Sequence, residues 1–229
     1  MIKFIFERGY ICCGCNTRHK KQATEFTYRR NCLCKDCFSK LMPYSKDAYH
    51  PERDGMEFMA ALFRYKGLYR KIFLDFKFGY GLASGHLLGK AMSRLIIERD
   101  VFTDYDYIVP VPVSKTRYNE RGYNQSHILA TYISKALNIP ILNVMERVKH
   151  SPPQSTVSHY LRADNVNNAF VVSKRLDKKN VILFDDIYTT GSTAAECTYA
   201  LHRAGADKVC VLVGAYNVPQ NINHFTKLN

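Results

Sequence analysis

The chain has 229 residues, enough for one medium domain or for a domain with a small appendage. Hydrophobic residues make up 46% and charged residues 23%, which excludes long disorder and requires a packed core. The formal charge of +13 attracts polyanions, but charge alone does not separate DNA, RNA, acidic lipid and phosphorylated metabolites.

The basic excess is uneven: residues 1–80 carry 16 Lys/Arg against 8 Asp/Glu, and the remainder 17 against 12. No stretch reaches the ~20 uninterrupted apolar residues that cross a bilayer. The opening Met1-Ile-Lys-Phe-Ile-Phe-Glu-Arg8 is charged too early and too often for a signal peptide. A cytoplasmic protein is expected.

Six of the eight cysteines fall between Cys12 and Cys37. Cys12–Cys15 and Cys34–Cys37 form two Cys-x-x-Cys knuckles with 18 residues between them, a zinc-ribbon spacing. Each knuckle offers two thiolates from a tight turn, eased in the first by Gly14, and two turns complete a tetrahedral S₄ site for structural Zn²⁺. The basic segment between them (Arg18, His19, Lys20, Lys21, Arg29, Arg30) has too little apolar surface to fold alone, so metal binding is expected to stabilise it. Cys13 and Cys32 blur the ligand set, because Cys32 can replace Cys34. Cys197 and Cys210 sit in core-like patterns and read as buried hydrophobes.

Phe38 to Gly55, with Pro43 and Pro51, reads as a linker. Glu57 to Tyr65 reads as a strand that Gly67 ends, and Leu68, Ile72, Phe73 and Phe76 then mark a helical face. Gly79, Gly81 and Gly85 punctuate before a second helical pattern through Leu87, Leu88, Ala91, Leu95 and Ile96. Tyr107 to Val113 is a strand confined to an end or edge by Pro110 and Pro112. Ser126 to Leu137 is an amphipathic helix presenting Ile128, Leu129, Tyr132, Ile133 and Leu137 to the core, and Ile139 to Leu142 a short strand. Val181 to Phe184 is a fully apolar strand, Thr193 to Ala204 a helix closed by Gly205, and Val209 to Ala215 the last strand. Alternating strands and helices with continuous apolar strands imply an α/β fold, its parallel sheet covered on both faces.

Val181-Ile-Leu-Phe-Asp-Asp-Ile-Tyr-Thr-Thr-Gly-Ser-Thr193 is the most informative stretch. A buried strand runs into two carboxylates, then a hydroxyl-rich loop with one glycine, then a helix. Gly191 lets the backbone approach an anion, and the N–H groups of Thr190 to Thr193 open the helix where unpaired donors and the dipole favour phosphate. Asp185 and Asp186 offer acceptors for paired sugar hydroxyls at the end of a strand, where open α/β sheets bind ligands.

This segment resembles the phosphoribosyl pyrophosphate motif of type I phosphoribosyltransferases: four apolar residues, Asp-Asp, two variable residues, then Thr-Thr-Gly-Ser-Thr. The resemblance implies that Asp185 and Asp186 bind the ribose 2′- and 3′-hydroxyls. It implies that Thr189, Thr190, Gly191, Ser192 and Thr193 wrap the 5-phosphate, and that Mg²⁺ bridges ribose hydroxyls and pyrophosphate. A second segment, Ile108 to Gln125 with Arg121-Gly-Tyr-Asn-Gln125, together with Gln154, Leu161, Arg162, Asn165, Val166, Ala169-Phe170 and Phe76-Lys77-Phe78, resembles the ComF family of late competence proteins. In that family an amino-terminal zinc motif precedes a phosphoribosyltransferase-like domain. Its likeness implies a pyrophosphate loop with Lys115, Arg117 and Arg121, and a flexible loop with Gln154 and Arg162.

The expected organisation is a four-cysteine, zinc-ribbon-like module over 1–42, a linker over 43–56, a phosphoribosyltransferase-like domain over 57–221 and a tail over 222–229. The resemblance implies a protein needed for natural transformation that binds phosphoribosyl pyrophosphate or ribose 5-phosphate, and single-stranded DNA as it enters the cytosol. A competence helicase and DNA-processing proteins are its implied partners, and a peripheral place at the inner face of the inner membrane is compatible with it. A metabolic phosphoribosyltransferase, moving a phosphoribosyl group to a nucleobase or amine with release of pyrophosphate, is the alternative. Whether the chain turns over a substrate is open at this level, because an intact cradle needs no dedicated acid or base.

Overall fold

The computed structural model describes residues 10–19, 27–28, 31–45, 49–79, 81–148 and 169–217. In chain order the amino-terminal elements are strands β1 (Tyr10–Cys12), β2 (Arg18–His19), β3 (Thr27–Tyr28) and β4 (Asn31–Cys32), then helix α1 (Lys35–Ser39). The larger part follows with β5 (Tyr49–His50), β6 (Met59–Arg64), α2 (Gly67–Phe78), α3 (Leu82–Ile96), β7 (Tyr107–Pro110), α4 (Lys115–Arg121) and α5 (Gln125–Leu137). It closes with β8 (Met145–Arg147), β9 (Phe170–Val172), β10 (Val181–Tyr188), α6 (Ser192–Arg203) and β11 (Val209–Tyr216).

The central sheet has the order β5-β6-β11-β10-β7. β6, β11, β10 and β7 are parallel, and β5 joins antiparallel at one edge. β11 is buried along its whole length and β10 through its first four residues, which is why both read as unbroken apolar runs. Alternation along these strands splits the core. Ile182, Phe184, Cys210 and Leu212 pack under α2, α3 and α5, whereas Val181, Leu183, Val211 and Val213 pack under α6. β7 stands at the other edge of the sheet, where the missing N–H of Pro110 is tolerated. The expected α/β fold with a mostly parallel, helix-flanked sheet and a small cysteine-bearing module is what forms.

Several boundaries differ from the sequence reading, each for a local reason. Gly67 does not end the strand but opens α2 at φ +51, and Gly85 lies inside α3, where its missing side chain lets the Phe76 ring pack against the helix. Ile139 to Leu142 forms a single parallel bridge, Ile141 to Ile108, rather than a strand. β10 runs four residues past Phe184, so both aspartates lie within the strand. The stretch read as a linker joins the sheet through Tyr49–His50 opposite Met59–Ala60, with a further bridge from Pro43 to Phe63.

The small sheet, ordered β2-β1-β4-β3, is not a separate bead. Leu33, Cys34, Cys37 and Leu41 belong to the same core cluster as Phe63, Tyr69 and Phe73. Gly14 is pressed so close to this core that a Cβ there would lie 2.7 Å from Cys37 Sγ and 3.1 Å from Leu68 Cδ2, which explains the glycine in the first knuckle. Cys197 and Cys210 are fully buried, as their patterns implied. No helix among the described residues is long and apolar enough to cross a membrane.

Candidate functional site

The site forms where β10 outlasts its neighbour. β7 pairs with β10 as far as Pro110 opposite Phe184; Val111 donates its N–H to Phe184 O at 2.9 Å, and the chain then leaves the sheet for α4. Asp185 and Asp186 follow at once on β10, beside a strand end that has turned away. Such a crevice at the carboxyl ends of parallel strands is where open α/β sheets take ligands.

Both carboxyls are partly buried. Burial first, and then the neighbouring Asp186 charge, push the Asp185 carboxyl up to about 7, against the pull of the Asp186 N–H, the Ser126 hydroxyl and Lys77. The Asp186 N–H donates to Asp185 Oδ1 at 2.8 Å and Ser126 Oγ donates to the same oxygen at 3.0 Å. Burial also raises Asp186, while Lys77, the Ile187 N–H, Arg121 and Arg117 draw it down. Tyr69, wholly buried beneath, has a hydroxyl with no partner among the described residues, and the Asp186 charge adds to the burial that keeps it protonated.

Because the folded Asp185 value exceeds that of an unfolded aspartate, its contribution to stability is complete below about pH 4 and is lost as pH rises through about 7. The thermal midpoint of Asp185→Asn should therefore climb relative to wild type between pH 5.5 and 8.5, read by differential scanning fluorimetry. A constant offset across that range would contradict the assignment.

Beyond the acids the turn is shaped for an anion. Thr189, Thr190, Ser192 and Thr193 are exposed, while Gly191 is buried at φ +88, and a Cβ there would run into the Tyr188 hydroxyl. Only glycine meets both conditions. Thr190 Oγ1 and Ser192 Oγ lie 3.0 Å apart in one hydrogen bond, and α6 starts at Ser192 with its first-turn N–H groups directed back at the turn.

The three cations expected on a loop sit instead on helix α4, capped by Ser114 Oγ, which accepts from the Arg117 N–H at 3.3 Å. The Ser-Lys-Thr-Arg stretch is a helix start, with serine at the cap, and the charge count obscured that signal. Arg117 and Arg121 act on Asp186, as above. Lys115 opens α4, lining a cleft of about 410 Å³ with Thr116, Asn119 and Glu120. Gln154 and Arg162 lie outside the described residues.

Each residue of Arg121-Gly-Tyr-Asn-Gln125 has a structural task. Gly122 closes α4 at φ +77, its N–H donating to Tyr118 O at 2.7 Å. Asn124 caps α5 through Oδ1 and donates Nδ2 to Val111 O at 3.0 Å, tying the helix start to the end of β7. Tyr123 stacks on Phe76, rings 5.4 Å apart and 11° from parallel, and its hydroxyl donates to Phe76 O. Gln125 Oε1 accepts from Arg121 Nη1 at 3.2 Å. The two family-specific segments therefore lock onto each other, and Lys77 is carried to the acids as a result. Sequence reasoning missed Lys77 and Ser126 as site residues; the tripeptide Phe76-Lys77-Phe78 was the available signal for the first.

At the other end of α2 the thiols of Cys12, Cys15, Cys34 and Cys37 all lie within 4.8 Å of one another, and three of these residues are buried. Cys12 Sγ accepts the N–H groups of Gly14 and Cys34, each at 3.3 Å, as thiolates in metal knuckles do. Four convergent soft donors fit a tetrahedral zinc ion. Cys34 completes the set among the described residues; the Cys32 side chain lies outside them. Among the described residues this is the only cluster of three or more ligating groups that could hold a metal ion.

No protein-family model matches the chain. The chain is 30% identical over 214 residues to Competence protein F of Haemophilus influenzae, across 88% of both proteins. It is 36% identical over 107 residues to the DNA utilization protein YhgH of Escherichia coli, a match that spans about half of each, 46% of this chain and 47% of that protein. Among solved structures, the glutamine phosphoribosylpyrophosphate amidotransferase of B. subtilis matches with 21% identity over 55% of this chain and 25% of its own, at a TM-score of 0.39. The likeness to Competence protein F runs through most of both proteins, and on that footing the chain belongs to the ComF family.

Proposed function

We propose that this chain serves natural transformation as a cytoplasmic protein that binds phosphoribosyl pyrophosphate or ribose 5-phosphate and handles incoming single-stranded DNA. One observation carries the ligand: the acid pair, the threonine-lined turn at the start of α6 and the cations Lys77, Arg117 and Arg121 meet at the open end of β10. In this reading Asp185 and Asp186 accept from the ribose hydroxyls, and Thr189 to Thr193 donate to the 5-phosphate through hydroxyls and backbone N–H groups. Arg117 and Arg121, with Lys115, face the pyrophosphate, where guanidinium forks suit paired oxygens. Magnesium bound together with the pyrophosphate would supply neutralisation of its charge, beside the cations Lys77, Arg117 and Arg121.

Support for the DNA role comes from the relatives' names, competence and DNA utilization, and from the basic charge of the chain. A helicase and other DNA-processing proteins are the partners this role calls for, with peripheral placement at the inner face of the inner membrane. Deleting the gene from a transformable host should abolish transformation while labelled DNA still reaches the cell surface. Complementation with wild type should restore it, and with Asp185→Ala/Asp186→Ala should not. Normal transformation in the deletion strain would end this reading. Pyrophosphate release in the presence of a base or amine would add catalysis to it.

A further inference from the structure

We infer that the exposed ring of Phe78 is a stacking platform for a single nucleobase, set beside the ribose-phosphate crevice. The inference rests on the nucleic-acid reading above and names the part of the site that would hold a base.

Phe78 ends α2 with 65% of its surface exposed, the most exposed of the large hydrophobic side chains among the described residues. Two cations accompany it: the Arg121 guanidinium lies 5.3 Å from the ring centroid and Lys77 Nζ 6.0 Å. These same cations act on Asp186, so platform and crevice share a wall. A space of about 120 Å³ lies beside the ring, bounded by Lys77, Phe78, Glu120, Arg121 and Tyr123.

The backbone that carries the ring is anchored. Phe76, two residues earlier, is wholly buried and stacked on Tyr123, whose hydroxyl binds the Phe76 carbonyl, so the backbone beneath Phe78 is pinned. The space beside the ring also holds an acceptor suited to a base. Glu120 offers carboxylate acceptors for ring N–H or amino groups. An aromatic face flanked by cations, with a carboxylate acceptor beside it, matches a base carried on a phosphate-bearing sugar. Stacking takes the ring and the cations take the phosphate.

The chain contains no tryptophan, so Phe78→Trp places a single tryptophan on the platform, read by selective excitation away from the tyrosines. Three probes are titrated into it: oligothymidylate, an abasic deoxyribose-phosphate strand of the same length, and thymidine monophosphate. Oligothymidylate should quench the fluorescence and the abasic strand should not. Quenching by the monophosphate in the same concentration range assigns the base to a free nucleotide, and quenching by the strand alone assigns it to DNA; either supports the platform. By anisotropy, Phe78→Ala should weaken oligothymidylate binding roughly 5- to 150-fold, the range for loss of one base stack. If wild type binds both strands equally and Phe78→Ala changes neither, the platform is wrong while DNA binding stands. If none of the three probes binds, the platform and the DNA half of the proposed function fall together.

Discussion

Stripping the metal from the cysteine cluster is expected to lower the thermal midpoint of the whole chain in one cooperative step. The four thiols converge within 4.8 Å, and Cys34 and Cys37 lie in the same core cluster as Phe63, Tyr69 and Phe73. Removing the ion therefore loosens the wall of the main core as well as the small sheet. A structural zinc holds about 10–16 kcal/mol of apparent folding free energy in isolated fingers. Only part of it shows in a chain with a core of its own. A loss of about 3–5 kcal/mol would lower the midpoint by roughly 6–20 °C at ~2–4 °C per kcal/mol for a chain of this size. Calorimetry after chelation, or on Cys34→Ser, reads this directly. A main transition that stays in place while a small separate one vanishes would mean that the module folds alone. Ligand binding should weaken too, because α2 meets the first knuckle through Leu68 and Lys71 and carries Lys77 to the acids at its far end.

Much of this was legible because it is local. The acid pair, the glycine and the hydroxyl residues stand within nine positions, so the sequence order is also the spatial order along β10 and into α6. The cysteine knuckles were legible for the same reason, since spacing alone sets which thiols share a turn. What was hidden depends on tertiary placement. Lys77 lies over a hundred residues before Asp186 and reaches it only because Phe76 stacks on Tyr123. Ser126, read as an ordinary helix start, turns its hydroxyl to Asp185 because Asn124 ties α5 to the end of β7. The basic segment after Val113 read as a loop because cations dominated its composition, whereas Ser114 was already the helix cap. The stretch before Met56 read as a linker because a two-residue edge strand has no periodicity to detect.

Replacing both acids, Asp185→Ala/Asp186→Ala, should remove the affinity for phosphoribosyl pyrophosphate without harming the fold. Hydrogen bonds from sugar hydroxyls to charged carboxylates contribute about 1.5–3 kcal/mol each, so losing the pair weakens binding roughly 10²–10⁴-fold. Stability should hold or rise above neutral pH, since burial and mutual repulsion already disfavour the two charges in the folded chain. That separation between binding and folding makes the variant informative, because a loss of affinity cannot then be blamed on a loss of structure.

The decisive measurement is calorimetric titration of the zinc-loaded chain with phosphoribosyl pyrophosphate and Mg²⁺, wild type beside the double alanine variant. Saturable one-to-one heat in wild type, absent from a variant that melts no earlier, is the expected result. Equal heats from both proteins, or none from wild type, would contradict the claim that β10 and its threonine turn form a sugar-phosphate cradle.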